Sequence, residues 1–522
     1  MKIFIPLIFL FISIEAFTQP QPAIEWNRAY GGTLQDVGYG ISADIDGGYL
    51  VAGCDGSIDG DLLEVLHGGY CDYWVLKLFS NGSIQYKRLL DGTGADVAKN
   101  IYQTPDGGYI VGGGSNSPDL AFSGGGTHGD FDFGIFKLSA DSLKKVWVKC
   151  YGGSGYEDFG ALSITSDQGY IMCGGTSSTN GDVTGNHGSS DYWVVKTDAS
   201  GNIQWQKCYG GTGYDKASSV KQTADGGFII IGFTQSNDGD VHGNHFDPVA
   251  GAYDYDGFIV KTNSNGDTLW TRCFGGTLQD AFTKVIQLSD GTYMMAGYAT
   301  SYDGDVSTPF TDSLENGWLV KLDANGNLLW SKTFGGTNDD DFSSLVQDAA
   351  GGIVISGYSQ SNDGTVSINQ GGWDAWLMRV DADGEIIWDT TYGGKKSDIF
   401  YDLTNTLDNG IAAVGYSYSD DGDVNNHWGN SYYADYWVLK TTDIVGIAEV
   451  KNSTLNIFPS PAHDFIEAAG FGKEMNGEKI DILSLDGRKL LEQKISSQKN
   501  TIINISSLPP GFYLAQVNGS GE

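Results

Sequence analysis

The chain has 522 residues, with 65 acids against 30 bases and a formal net charge of −35. That balance repels phosphate backbones and anionic bilayers, so nucleic-acid binding and anionic-membrane binding are set aside. Glycine is abundant at 76 residues, proline is scarce at 11 and aromatics reach 12%, a composition of many short strands and tight turns rather than of disorder.

Met1 and Lys2 precede an apolar run from Ile3 to Ile14. The run is too short to span a bilayer and suits the apolar core of a signal peptide. A signal peptide over 1–18 is expected, cut after Ala16 or Thr18, with no cysteine nearby to carry a lipid. No later segment reaches the roughly 18 apolar residues of a transmembrane helix. The cysteines then meet an oxidising compartment. Cys54 and Cys71 share a repeat and are the expected pair, while Cys150, Cys173, Cys208 and Cys273 suit bridges or buried thiols equally.

From residue 24 the chain repeats. Trp26, Tyr86, Trp147, Trp205, Trp270 and Trp330 each precede a base by two positions, and Trp388 continues the series without one. The spacing is 58 to 65 residues. After most of them come Tyr-Gly-Gly or Phe-Gly-Gly, an acid, an alternating strand, a turn such as Asp106-Gly107-Gly108, and an apolar strand such as Tyr109-Ile110-Val111. A polar loop leads to a third strand, typified by Asp191 to Lys196, and a tight turn returns to the next Trp. Alternation, β-branched and aromatic residues and Gly turns mark four strands per repeat, here a, b, c and d with Trp on d. Radial repetition of such units is the sequence signature of a β-propeller.

The phase fixes the closure. The first Trp strand has no a, b or c before it, and the last repeat lacks d. The orphans complement one another, which an open solenoid would not produce. The expected fold is all-β: a seven-bladed β-propeller over 24–442, closed by its N-terminal strand. The repeats resemble the Gly-Gly-x-x-x-Asp and Asp-Gly-Gly-Tyr propeller repeats of bacterial surface proteins, a likeness that implies a fold and a binding habit rather than a reaction.

Residues 443–453 read as a linker. Beyond it stand Pro459-Ser460-Pro461, a hairpin around Asp486-Gly487-Arg488, and Leu508-Pro509-Pro510-Gly511-Phe512-Tyr513. This order resembles the C-terminal sorting domain of the type IX secretion system of Bacteroidetes, with Ser460 where asparagine is usual and without the usual basic final strand. For 454–522 the resemblance implies a small immunoglobulin-like β-sandwich, export through the type IX machinery, removal of the domain, and surface attachment or release.

In a propeller the d-to-a crossings and b-to-c loops share one face. The crossings carry Asp36, Asp96, Glu157 or Asp158, Asp215, Asp280, Asp340 and Asp398. The loops carry Ser-x-Asp-Gly-Asp or a variant, ending in Asp61, Asp182, Asp240, Asp305 and Asp423. These five are candidate calcium ligands, since clustered carboxylates and turn carbonyls suit a hard cation; Asx-turn chemistry is the competing reading. Strand c carries a matching ring of bases, Lys77, Lys137, Lys196, Lys261, Lys321, Arg379 and Lys440, expected to pair with the crossing acids. Candidate ligand contacts on the loop face are His187, His245, Phe246, Tyr253, His427, Trp428, Tyr432 and Tyr433, imidazoles and rings able to meet sugar or peptide.

No G-x-S-x-G, H-E-x-x-H, P-loop or sialidase-type Asp box occurs, so nucleophilic, zinc-protease and nucleotide chemistry have no motif here. The expectation is a secreted or surface binding protein for glycan or protein. A polysaccharide-acting glycosidase or lyase and a structural surface component are the alternatives. Asymmetry between blades favours binding or catalysis, a uniform face favours structure, and blades two and four deviate most.

Overall fold

The computed structural model describes residues 21–62, 71–245, 254–307, 314–428 and 432–444, then 456–458, 465–469, 479–483, 489–494, 500–504, 508 and 514–518. The signal-peptide segment 1–18, most of the linker 443–453, and Phe246 and Tyr253 lie outside them. Residue contacts divide the chain into two units, Met1–Val445 and Gly446–Glu522.

The first unit contains seven four-stranded antiparallel sheets. Blade one runs a Asp36–Ala43, b Tyr49–Asp55, c Asp72–Leu78 and d Ile84–Leu90, and the order repeats to strand d of blade six, Ile386–Tyr392. Blade seven has a Asp398–Asn405, b Ile411–Ser417 and c Asp435–Thr441. Its fourth strand is Ile24–Tyr30, paired antiparallel with Ile24 opposite Thr441 and Tyr30 opposite Tyr436. The ring is thus closed by the N-terminal strand, and neither half-blade is left with an open edge.

Strands b and c are apolar almost throughout because each blade is covered on both faces by its neighbours. In blade one every residue of both is buried. Aromatics cross from blade to blade: Tyr73 meets Phe122 and Phe136 of blade two edge-on. Trp74 meets Tyr436 at 4.8 Å across the junction of blades one and seven. Each buried ring contributes about 1.5–3 kcal/mol. Cys54 and Cys71 form the expected disulfide, while Cys150, Cys173, Cys208 and Cys273 are free thiols.

The expected pairing of crossing acids with strand-c bases does not occur. The bases lie near the c-to-d end and meet the a-to-b turns instead. Lys77 sits 2.7 Å from both Asp44 and Asp46, Lys137 2.7 Å from Asp106, Lys196 2.8 Å from Asp167 and Lys261 2.9 Å from Asp225. Arg379 meets Asp348 at 2.6 Å, Lys440 meets Asp408 at 2.7 Å, and Lys321 meets Asp290 at 3.8 Å. The crossing acids open strand a at the opposite end of each blade, out of reach of these bases.

One irregularity of the inner strands bears on function. Every strand a carries a β-bulge at its fourth residue: Tyr39, Lys99, Gly160, Ser218, Thr283, Ser343 and Tyr401 are skipped in the ladder to strand b. Bulges re-aim side chains, and all seven of these residues line one axial cavity.

The second unit has two three-stranded antiparallel sheets. Their central strands are Phe465–Ala469 and Lys479–Leu483. Each sheet buries an isoleucine, Ile503 in one and Ile482 in the other.

Candidate functional site

The loop face is stitched by a repeated hydrogen-bond set. Each crossing acid is fully buried, and in blade three the position belongs to Glu157; Asp158 instead meets Lys216 at 2.5 Å. Asp215 accepts from Gly211 N at 2.9 Å and from the Ser236 hydroxyl at 2.7 Å; Asp36, Asp280, Asp340 and Asp398 repeat both bonds within 0.2 Å. The candidate calcium residues join the same set. The N–H groups of Asp61, Asp182, Asp305 and Asp423 donate to the first crossing glycine's carbonyl at 2.8 Å, and that of Asp240 at 2.9 Å. The carboxylates of Asp61, Asp182, Asp240 and Asp423 accept from that glycine's N–H at 3.2–3.4 Å. This is turn chemistry joining loop to crossing. Among the described residues no three or more His, Cys, Asp or Glu are arranged to hold a metal ion.

The loop histidines meet the acid that opens strand c of their own blade, and His245 also reaches the next blade. His187 Nδ1 lies 2.6 Å from Asp191. His245 lies 2.8 Å from Asp256 and 3.8 Å from Asp305 of the next blade. His427 is 3.8 Å from Asp435. Gln370 takes this place in blade six, reaching Asp423 at 2.9 Å. The acids so clasped open strand c and are fully buried, and Asp132, Asp191, Asp256, Asp374 and Asp435 each keep one oxygen without a hydrogen-bond partner. Burial pushes Asp374 up to about 7 and Asp435 up to about 8. Blade five has Asn316 here, a neutral shape-mimic of a protonated Asp. Trp428, Tyr432 and Tyr433 are exposed on the blade-seven loop, at 41%, 83% and 40%.

The richer site is the axial cavity, which residue-by-residue reading of the sequence misses. It measures about 290 Å³ and is walled by all seven blades. Lys284 meets Asp402 at 2.9 Å, and Asp402 also accepts from the Ser344 hydroxyl at 2.7 Å. Tyr358 donates to Asp341 at 3.0 Å. Around it on the loop side stands an uneven collar of rings. The sixth residue of strand b is Phe233, Tyr298, Tyr358 and Tyr416 in blades four to seven, half-buried in each. In blades one to three it is Cys54, Gly114 and Gly175. Tyr298 shares a 2.7 Å hydrogen bond with Tyr255, Tyr358 lies 5.7 Å from Trp373, and Tyr416 lies 5.8 Å from Tyr401, itself stacked on Tyr39. The signal was present in the repeat: Gly-Phe or Gly-Tyr ends strand b in four consecutive blades and is missing from three. A more open recess of about 470 Å³ lies at the other end of the inner strands, by Tyr102 and Lys221.

Residues 456–522 match the family model described as the secretion system C-terminal sorting domain. A regulatory protein, FlaEY of Caulobacter vibrioides, is 25% identical over 203 residues, which is 36% of this chain and 21% of that protein; the chain spans about a fifth of that relative's length. A copper-bound fungal alcohol oxidase of the AA5 family is 12% identical, with 96% and 97% of the two chains covered and a TM-score of 0.43. The propeller domain of the Trilobed protease of Pyrococcus furiosus is 9% identical, with 77% and 96% covered and a TM-score of 0.38. Likenesses at this level say nothing of activity. Among the described residues no helix is long and apolar enough to cross a membrane. The chain therefore pairs a seven-bladed β-propeller with a type IX secretion sorting domain of the Bacteroidetes type, the mark of a protein secreted or held at the outer cell surface.

Proposed function

We propose that the propeller is a binding module which takes glycan on its loop face. The observation that carries this reading is the asymmetry of the ring collar, with aromatic residues on blades four to seven and small ones on blades one to three. A structural component built from equal blades has no use for such a difference. Flat rings with hydroxyl tips around a polar cavity suit sugars, whose faces are apolar and whose edges hydrogen-bond. The exposed Trp428, Tyr432 and Tyr433 extend the surface over blade seven. A glycan-array screen of the purified chain tests this. Binding should fall about tenfold in Tyr416→Ala and Tyr298→Ala, the scale of one lost aromatic contact. A blank array with folded protein would refute the glycan reading and turn the search to a protein ligand.

A further inference from the structure

The cavity wall holds Lys99, Lys216 and Lys284 in a chain of net charge −35. Two of the three are committed: Lys216 to Asp158 at 2.5 Å and Lys284 to Asp402 at 2.9 Å. Lys99 has no ion pair among the described residues, and its ammonium donates to the Phe159 carbonyl at 3.0 Å. Burial, and then the charge of Lys216, push Lys99 down to about 8, against a weaker opposing pull from Asp158, and no carboxylate is in ion-pair contact with it among the described residues.

A second group is committed through only one of its two oxygens. Asp341 lines the same cavity and is 8% exposed. Its Oδ2 accepts from Tyr358, and its Oδ1 has no hydrogen-bond partner. Burial, and then the nearby Glu315, push it up to about 8. Below that pH it is a carboxylic acid, able to donate as well as accept. A buried polar atom left without a partner costs about 1–3 kcal/mol, a cost a ligand would remove. The Tyr39 and Tyr401 rings flank the same space.

We infer that the axial cavity receives one sugar ring bearing a carboxylate, its carboxylate on Lys99 and its hydroxyls on Asp341, beside Tyr39 and Tyr401. The volume of about 290 Å³ lies at the small end of ligand sites and suits a single ring rather than an extended chain. The inference rests on reading this face as glycan-binding, and it names the class of sugar.

The test is titration calorimetry of the whole chain at pH 7 with galacturonate, galactose and acetate. Galacturonate should bind at least tenfold more tightly than galactose, and acetate more weakly than galacturonate. Lys99→Met should erase the preference for the acid with its thermal midpoint kept, Lys99→Arg should retain the preference, and Tyr416→Ala should weaken both sugars. Equal binding of galactose and galacturonate, or a preference that survives Lys99→Met, would overturn this inference and leave the glycan reading standing. Acetate binding as tightly as galacturonate would overturn the sugar part. No binding of either sugar to folded protein would overturn both.

Discussion

The loop-to-crossing stitch makes a sharp prediction at one glycine. Gly304, in Asp303-Gly304-Asp305, has φ +65°, and a Cβ there would overlap the carbonyl of Gly275 and come within 2.9 Å of Gly276 Cα. Both obstacles are backbone, and the Asp305 N–H bond to Gly275 O holds them in place. Gly291, in the a-to-b turn of the same blade, has φ +86° with nothing within 4 Å of a Cβ. Alanine at either site bears the left-handed cost of about 1–2 kcal/mol. At Gly304 the overlap adds about 1–3 kcal/mol, and loss of the Asp305 bond about 1 kcal/mol more. Gly304→Ala should therefore cost roughly 3–6 kcal/mol and Gly291→Ala about 1–2. Urea unfolding followed by tryptophan fluorescence measures the two shifts. Equal midpoints for the two variants would refute the claim that crossing and loop are rigidly joined.

Three further outcomes are expected. Acids with raised folded values, Asp132, Asp191 and Asp256 at about 6, Asp72 and Asp374 at about 7 and Asp435 at about 8, keep their protons after the unfolded chain has lost them. Their contribution is present below the unfolded value near 4 and is lost as pH rises through 6 to 8. Asp106, held at about 2 chiefly by Lys137, has the opposite sign and loses its contribution as pH falls from 4 to 2. Six raised acids outweigh one lowered one, so the thermal midpoint should be higher at about pH 5 than at about pH 8; a rise from 5 to 8 would contradict it. Deleting residues 21–30 removes the fourth strand of blade seven, so the protein should elute as aggregates and melt well below the intact chain; a monomer of unchanged midpoint would show that closure is dispensable. Calcium in place of a chelator should move the midpoint by less than about 1 °C, since the loop carboxylates already accept backbone donors, and a rise of several degrees would make them cation sites.

The ring, its blade number and its closing strand were legible because period-2 alternation and turn glycines are local and recur in phase. The Cys54–Cys71 pair was legible for the same reason of shared repeat. The base ring was misassigned because repeat phase says which residues recur together, not at which end of a strand each lies: Lys196 and Asp215 are both invariant in phase, yet one faces Asp167 and the other Ser236. The loop residues His187, His245, His427 and Trp428 were found as residues, but their clasping of Asp191, Asp256 and Asp435 needs the fold. The axial cavity depends on seven bulges, and a bulge leaves no composition cue of its own. Lys99 and Tyr401 read from sequence as one more polar and one more aromatic residue of an alternating strand. Lys99 lies on blade two and Lys216 on blade four.

The strand at Ile24–Tyr30 is made first and must wait for a partner about four hundred residues later, at Asp435–Thr441. Until that partner exists, six blades are able to fold but the ring cannot lock. The sorting domain begins only a short way beyond Thr441, so the two signals, one for closing the propeller and one for leaving the cell, are read almost together. A chain cut short before either would present an open ring without an export address, and the order of its parts thereby ties completeness to departure.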